Sequence, residues 1–398
     1  MNGGLTKHLN IIDYTLSSLW RRRARNASVL IVFAGVIFLV ASFQFVTEAL
    51  TETALDSLRT APEITIQRLS AGRQTEVPLD YGEQVASIHG VREVVPRIWG
   101  YYFDEVTGAN LTVIGVDLER MPLGEKLNLT LAEGEVPEPG ASGWVLVGRS
   151  IKRIVESKGT AYLSLFRPDL SQASYAITGV FDAVTDVLTN DLIVMDIGDA
   201  RDLFHISPAA ATDLCVYVAN LEEVPNIARK IAAALPDARV LTRSQISQTY
   251  QVVFGWRSGF ASVCLLTALA AFVIFAWDKA SGLSPEERRE ITILKILGWE
   301  TSDILAVRFW EGALVAGGAF IAGCTGAYIH VAYFDASLFR SVMVGWSVIH
   351  PSLRLVPSLQ VSTLLLIFCF TVLPYMAATV IPAWRSAIVP TDSALSGM

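Results

Sequence analysis

The stretch that decides the fold runs from Ser284 to Ala316 and reads SPEERREITILKILGWETSDILAVRFWEGALVA. Ser284 is a candidate N-cap, Pro285 suits the first helical position, and Glu287 completes a capping box with Ser284. Gly298 stands where the helix must stop, because glycine takes the left-handed backbone of a C-terminal cap without steric cost. A second start follows, and from Phe309 the chain turns apolar. The pattern is a short charged helix on a tight loop between two hydrophobic segments.

Working outward, four apolar stretches have about the length that crosses a bilayer: Ala27–Val46, Gly259–Trp277, Phe309–Tyr333 and Leu359–Ile381. A mean hydropathy of +0.44 with 17% charged residues excludes an ordinary soluble domain. Between the first two stretches lie residues 47–258, of ordinary soluble composition and enough for one or two domains. The fold class expected is therefore a membrane protein, with four transmembrane α-helices and a large extracytoplasmic α/β domain. The layout reads as an amphipathic helix over 1–26, a first span over 27–46, the outer domain over 47–258 and a second span over 259–277. It continues with a cytoplasmic loop bearing the charged helix (278–308), a third span (309–333), a short outer loop (334–358), a fourth span (359–381) and a cytoplasmic tail (382–398).

Arg21-Arg22-Arg23-Ala24-Arg25 precedes the first span. A basic flank before an apolar run also describes a signal peptide. The length of the run, and the lack of a small-x-small cleavage site in Gln44–Leu50, favour an uncleaved anchor. Lys and Arg crowd the N-terminal segment (Lys7, Arg21, Arg22, Arg23, Arg25) and the loop after the second span (Lys279, Arg288, Arg289, Lys295, Arg308). The loop between spans three and four carries only Arg340 and Arg354. The positive-inside bias puts both termini and the charged helix in the cytoplasm.

Upstream, Leu5, Leu9, Ile12, Leu16 and Leu19 recur at helical spacing, with Lys7, Asn10, Asp13 and Ser17 off that face. This predicts a helix lying in the membrane interface before it turns into span one; a helix packed on protein is the other reading.

The outer segment reads as mixed α/β. Ile64–Arg68 is strand-like, Tyr81–His89 helix-like and Val94–Ile98 strand-like; the same order returns at Leu214–Val218, Val224–Leu235 and Ala238–Leu241. Two βαβ-like units at the ends of one domain suggest a pseudo-repeat that returns both ends to the membrane. Between them, Leu111–Val116, Val145–Val147, Ala161–Phe166, Tyr175–Val180 and Leu192–Met195 are short β-rich runs. Thr47–Ser258 holds 18 Lys and Arg against 28 Asp and Glu, which argues against nucleic acid as a partner. The joints Thr47–Leu58 and Ser244–Ser258 have helical composition, and Leu50, Ala54 and Leu58 stack at a spacing of four as a candidate stalk.

Chemistry-bearing motifs are sparse. No G-x-x-x-x-G-K-[ST] occurs, so the chain has no P-loop with which to hydrolyse ATP. His8, His89, His205, His330 and His350 are scattered, and no His-x-x-x-His or Cys-x-x-Cys appears, so no metal site is expected. Cys264, Cys324 and Cys369 fall inside spans and Cys215 is alone outside. No Gly-x-Ser-x-Gly elbow occurs, and no enzyme with its own active site is expected. Arg308 and Glu311 share a helix face at the start of the third span and suit a structural ion pair.

At Arg288-Arg289-Glu290-Ile291, Lys295-Ile296-Leu297-Gly298 and Glu311 the chain resembles the FtsX-like permease family, which includes MacB-type and lipoprotein-releasing transporters. The resemblance implies that the charged segment is a coupling helix docking on a separate cytoplasmic ABC ATPase dimer. The residues it marks are Glu286, Glu287, Arg288, Arg289, Glu290, Ile291, Leu294, Lys295 and Gly298. It implies no cofactor in this chain, with ATP and Mg on the partner. A second permease copy or paralogue, membrane lipid, a periplasmic adaptor or carrier and a bacterial inner-membrane location are also implied. The stretch from Val147-Gly148-Arg149-Ser150 to Leu165 more faintly resembles MacB-type outer domains, where a β-rich subdomain is inserted between porter-like halves. The lack of a P-loop departs from MacB-type chains and agrees with the lipoprotein-releasing and FtsX types. The coupling segment departs from the family at three positions: Trp299, where a small residue is usual, and Glu300 and Asp303, where basic residues are common. These suggest a distinct ATPase surface.

The function expected is a permease subunit that transmits force from ATP hydrolysis to its outer domain. The alternatives are extraction of lipoproteins or lipids, and regulation of periplasmic partners such as cell-wall hydrolases. The topology is testable directly. Membrane-impermeant thiol labelling should mark cysteines engineered at Glu138 and Ser352 and leave those at Glu287 and Ser396 unmarked; labelling of Glu287 from outside overturns it.

Overall fold

The computed structural model describes residues 2–59, 61–105, 107–120, 130–182, 189–254, 285–339, 355 and 357–388. Its described residues form two units, one of residues 2–49, 285–337 and 355–388, the other of residues 50–254 with 338–339.

The first unit is helical. Helix α1 (Asn2–Arg21) is separated by Arg22 alone from α2 (Arg23–Ser57), which is continuous over 35 residues. Among the described residues, three helical segments are long and apolar enough to cross a membrane: Asn26–Asp56, Thr301–Tyr333 and Val361–Ile381. The expected second span, 259–277, lies outside the described residues, as does most of the outer loop over 334–358. The helix expected as the third span starts eight residues before Phe309, at Thr301, so it takes in part of the stretch read as cytoplasmic loop. Small residues let these helices approach. A Cβ on Gly323 would meet the Ile37 side chain at 2.8 Å and the Ala34 carbonyl at 2.9 Å, so glycine is required for the crossing of the first and third spans. Phe33 stacks on Tyr375 at 4.8 Å, joining the first span to the last.

The second unit is an α/β domain. In chain order it contains β1 (Ile64–Ser70), β2 (Arg73–Thr75), β3 (Val77–Pro78), α3 (Asp80–Ala86), β4 (Val91–Asp104), β5 (Ala109–Val116), β6 (Leu131–Gly134) and β7 (Trp144–Val147). It continues with α4 (Arg149–Ser157), β8 (Tyr162–Phe166), β9 (Gln172–Phe181), β10 (Leu192–Asp196), α5 (Ile197–Phe204), β11 (Ala210–Ala211), β12 (Asp213–Val218), α6 (Val224–Ala234), β13 (Ala238–Thr242) and α7 (Arg243–Phe254). The main sheet runs β13-β1-β12-β4-β5-β10-β7-β9-β6, with β2 on β1 and β8 on β9.

This order shows how the two expected βαβ units fit together. β12 lies between β1 and β4, and β1 lies between β12 and β13, all antiparallel. Each α-crossover therefore spans a strand of the other unit, giving the interleaved split-βαβ arrangement. Antiparallel neighbours let each strand pair with partners about 150 residues away, which local pattern does not encode. The same register puts Ile64, where the chain enters, opposite Thr242, where it leaves. Arg243 reinforces this closure: its Nη2 donates to Glu63 at 2.5 Å, and Glu63 accepts from the Val218 amide at 3.1 Å.

The stretch expected as a β-rich inserted subdomain holds six strands and two short helices, and it is continuous with the rest of the sheet. It contains α4 and α5, whose buried Ile151, Val155, Ala200 and Leu203 join the core. It also grows from β4 itself. Residues up to Arg97 pair with β12, and Ile98 onward pairs with β5, so one strand carries both halves. One apolar cluster then runs from Ile64 and Leu214 to Val147 and Leu165. A second, on Val95, Trp144, Phe181, Val194 and Tyr217, covers the other face, which is why β7 and β12 are buried throughout.

A buried pair holds the point where β4 changes partner. Asp213, with no exposed surface, accepts from Arg97 Nε at 3.0 Å, Arg97 Nη2 at 2.7 Å and Trp99 Nε1 at 2.9 Å. This is a bidentate, charge-assisted fork. Asp213→Ala leaves the guanidinium without its counter-charge. The cost expected is about 3 kcal/mol, or a fall in Tm on the order of 10 °C for this unit, read by thermal melting of the full chain.

Candidate functional site

The charged segment forms helix α8 (Pro285–Ile296), followed by α9 (Thr301–Tyr333). Its stop is a Schellman closure. Trp299 N–H donates to the Leu294 carbonyl and Gly298 N–H to the Lys295 carbonyl, each at 3.0 Å, with Gly298 at φ +93°. Lys295 in the last turn complements the helix dipole. The expected cap Ser284 lies outside the described residues, and of Glu286, Glu287 and Arg288 only the helical backbone is described.

Helical spacing sorts the rest into two faces. Glu290, Ile291 and Leu294 turn into the unit, while Arg289, Ile293 and Ile296 are exposed, followed by exposed Leu297 and Gly298. Glu290 is the centre of the inward face, with 21% of its side chain exposed. Its Oε1 accepts from the Tyr14 hydroxyl at 3.1 Å and its Oε2 from Arg22 Nη2 at 2.9 Å. Arg308 Nη2 lies 3.8 Å from the same Oε2, and Arg308 Nη1 donates to Glu311 at 2.6 Å. Arg21 stands 3.9 Å from Glu290 Oε1, with its guanidinium over the Tyr14 ring at 5.8 Å.

One carboxylate thus joins three elements: the end of α1, helix α8 and the first turns of α9. Burial first, and then the neighbouring Glu290 carboxylate, raise the Tyr14 hydroxyl above its ordinary pKa, so Tyr14 keeps its proton and acts as donor. Arg308 and Glu311, read from sequence as an isolated pair, are the far end of this network.

Sequence reasoning missed Tyr14, Arg22 and Glu48. It also read Trp299, Glu300 and Asp303 as outward specificity features. Trp299 packs on Tyr14 with ring centroids 5.3 Å apart. Glu300 is the N-cap residue of α9, accepts from the Ser302 hydroxyl at 3.1 Å, and its carbonyl takes the Asp303 amide at 3.0 Å. Asp303 sits in the first turn, where its charge suits the helix dipole. All three have a role within the chain. Glu48, in the first apolar helix, accepts from Gln44 Nε2 at 3.3 Å and from the Thr363 hydroxyl of α10 (Val361–Ile388), a polar tie between two span helices. Of the stalk residues, Leu50 and Ala54 lie within α2 and Leu58 lies just beyond its end. Among the described residues no His, Cys, Asp and Glu group could hold a metal ion.

No family model matches the chain, and no curated protein matches it. Among solved structures, the periplasmic region of MacB from Actinobacillus actinomycetemcomitans is similar at TM-score 0.35 and 12% identity, over 50% of this chain and 97% of that one. The extracellular domain of the noncanonic ABC-type transporter YknZ from Gram-positive bacteria is similar at TM-score 0.33 and 9% identity, over 45% of this chain and 99% of that one. Likeness this distant carries no argument about chemistry.

The Schellman stop is open to test. Gly298→Ala should destabilise by about 1 kcal/mol and Gly298→Val by more, because each puts a Cβ at positive φ. Thermal unfolding of the detergent-solubilised chain should show the order Gly, Ala, Val in falling Tm.

Proposed function

We propose that the chain is the permease subunit of an ATP-driven complex in which α8 receives the push of a separate nucleotide-binding subunit. The observation that supports this most is the two-faced helix. Its inward side is anchored through Glu290 to Arg22, Tyr14 and Arg308, and its outward side presents Arg289, Ile293, Ile296 and Leu297 to a partner. A loosely held helix would absorb a displacement by bending. One anchored by charge-assisted bonds passes it to α1 and to the base of α9.

On this reading ATP and Mg belong to the partner ATPase dimer, and a second permease copy or paralogue completes the complex. The large α/β unit lies on the extracytoplasmic face of a bacterial inner membrane, where it acts on an adaptor, carrier or cargo. α2 is helical without a break from Arg23 to Ser57, which supports its use as the stalk that carries motion outward. Among the described spans, acidic and basic side chains lie toward the ends, at Glu48, Glu52, Asp56, Asp303, Arg308, Glu311 and His330, which favours transmission of force over conduction of a polar solute.

A tagged full-length chain purified from its own host should bring an ATPase with it. Ile296→Glu combined with Leu297→Glu should reduce co-purified ATP hydrolysis about tenfold or more, since it buries charge at a docked apolar contact. A fluorescent label at Glu138 should respond to ATP, and a Gly-Ser linker after Leu55 should abolish that response while hydrolysis continues. Unchanged co-purification and hydrolysis in the double variant would leave α8 without a partner and defeat the reading.

A further inference from the structure

Helix α1 carries two faces whose roles the network around Glu290 does not exhaust. Ile11, Thr15 and Ser18, at spacings of four and three, are buried within the helical unit. Of the leucine stripe read from sequence, Leu16 is 50% exposed while Ile12 and Leu19 are half-buried, and Trp20 just beyond it is 73% exposed. The basic run at its end is divided as well. Arg22 points inward to Glu290 at 2.9 Å, whereas 62% of the Arg21 side chain is exposed and Arg23 is exposed. Asp13 is the single acidic residue in positions 1–25.

Position along the chain says what covers this face. The apolar span begins at Asn26, three residues after Arg23 and six after Trp20. At 1.5 Å per helical residue these side chains sit within roughly 10 Å of the hydrocarbon edge. The headgroup layer is about 5–8 Å deep on each side of a bilayer. An apolar stripe ending in tryptophan and flanked by arginines suits that layer, with the ring at the acyl boundary and the guanidinium groups at the phosphates.

We propose that the outward face of α1 is a docking surface for acidic phospholipid in the leaflet where the first span begins, with Leu16 and Trp20 inserted and Arg21 and Arg23 paired with lipid phosphates. The site has a consequence for α8. Arg21 is exposed and also reaches Glu290, at 3.9 Å, so a lipid phosphate competes with Glu290 for it. Acidic lipid would then leave Glu290 to Arg22, Tyr14 and Arg308, and membrane composition would set how firmly α8 is held. The binding surface itself needs only the span and does not depend on the proposed ATPase.

The test uses the full chain reconstituted in phosphatidylcholine vesicles, with or without phosphatidylglycerol, and acyl-brominated lipid as quencher. The chain has nine tryptophans, so the reading is the difference between wild type and Trp20→Phe. That difference should show strong quenching of Trp20, greater when phosphatidylglycerol is present. Native mass spectrometry should show phosphatidylglycerol retained by wild type. Retention should fall roughly tenfold in Arg21→Gln/Arg23→Gln, at about fivefold or less for each lost cation, and be restored by Arg21→Lys/Arg23→Lys. Trp20 untouched by brominated lipid would show that the face lies outside the bilayer and overturn the proposal. Equal quenching in both lipids, with retention unchanged by the glutamine variants, would overturn the recognition of acidic headgroups. Neither result bears on ATPase co-purification, so this inference and the proposed function fail separately.

Discussion

The helical unit depends on one carboxylate. Glu290 is shared by Tyr14, Arg22 and Arg308, and Arg308 is shared in turn with Glu311. Each bond taken alone resembles many surface ion pairs that contribute little. What separates this group is its partial burial and its connectivity. Helices α1, α8 and α9 are distant in sequence and meet at a single pair of oxygens. Removing that carboxylate leaves three guanidinium groups, of Arg21, Arg22 and Arg308, and a phenol without it, so the cost is spread over three elements. The same connection makes α8 a rigid projection with an accessible outer face.

The α/β unit rests on a different device with the same logic. β4 is long enough to serve two sets of partners, and the change from β12 to β5 would be a weak point in the sheet. The Arg97–Asp213 fork and the Trp99 bond to the same carboxylate lie at that change. The chain's entry and exit are fastened in a similar way by β1 against β13 and by Arg243 on Glu63. A domain inserted into a membrane protein must return its ends close together, and here adjacent antiparallel strands do that.

Much of the local structure was legible in residue patterns. The alternating or continuous apolar runs at Ile64, Leu111, Val145 and Leu214 are strands, and the periodic segments at Tyr81 and Val224 are helices. Helices α4 and α5 escaped notice because each is about two turns long, with only two apolar residues fully buried. Tyr14 and Arg22 escaped notice for another reason. A tyrosine within an amphipathic helix and one arginine among four carry no local mark of a partner 270 residues away. Trp299 and Glu300 differ from a familiar pattern and also serve contacts inside the chain, which the pattern does not show.

Sequence by itself determined what short-range physics controls. It determined three of the expected apolar spans, from length and hydropathy, and the end of α8 at Gly298, from backbone sterics. It also determined the absence of a P-loop motif and most strands and helices of the α/β unit. Tertiary structure alone decided the order of strands, because hydrogen-bonded pairing across 150 residues leaves no local periodicity. It also decided which face of α8 is spent on the chain's own helices and which is left exposed. A helical wheel separates Glu290 from Arg289, but only the packed neighbours Arg22, Tyr14 and Arg308 decide that the first is an anchor and the second remains accessible.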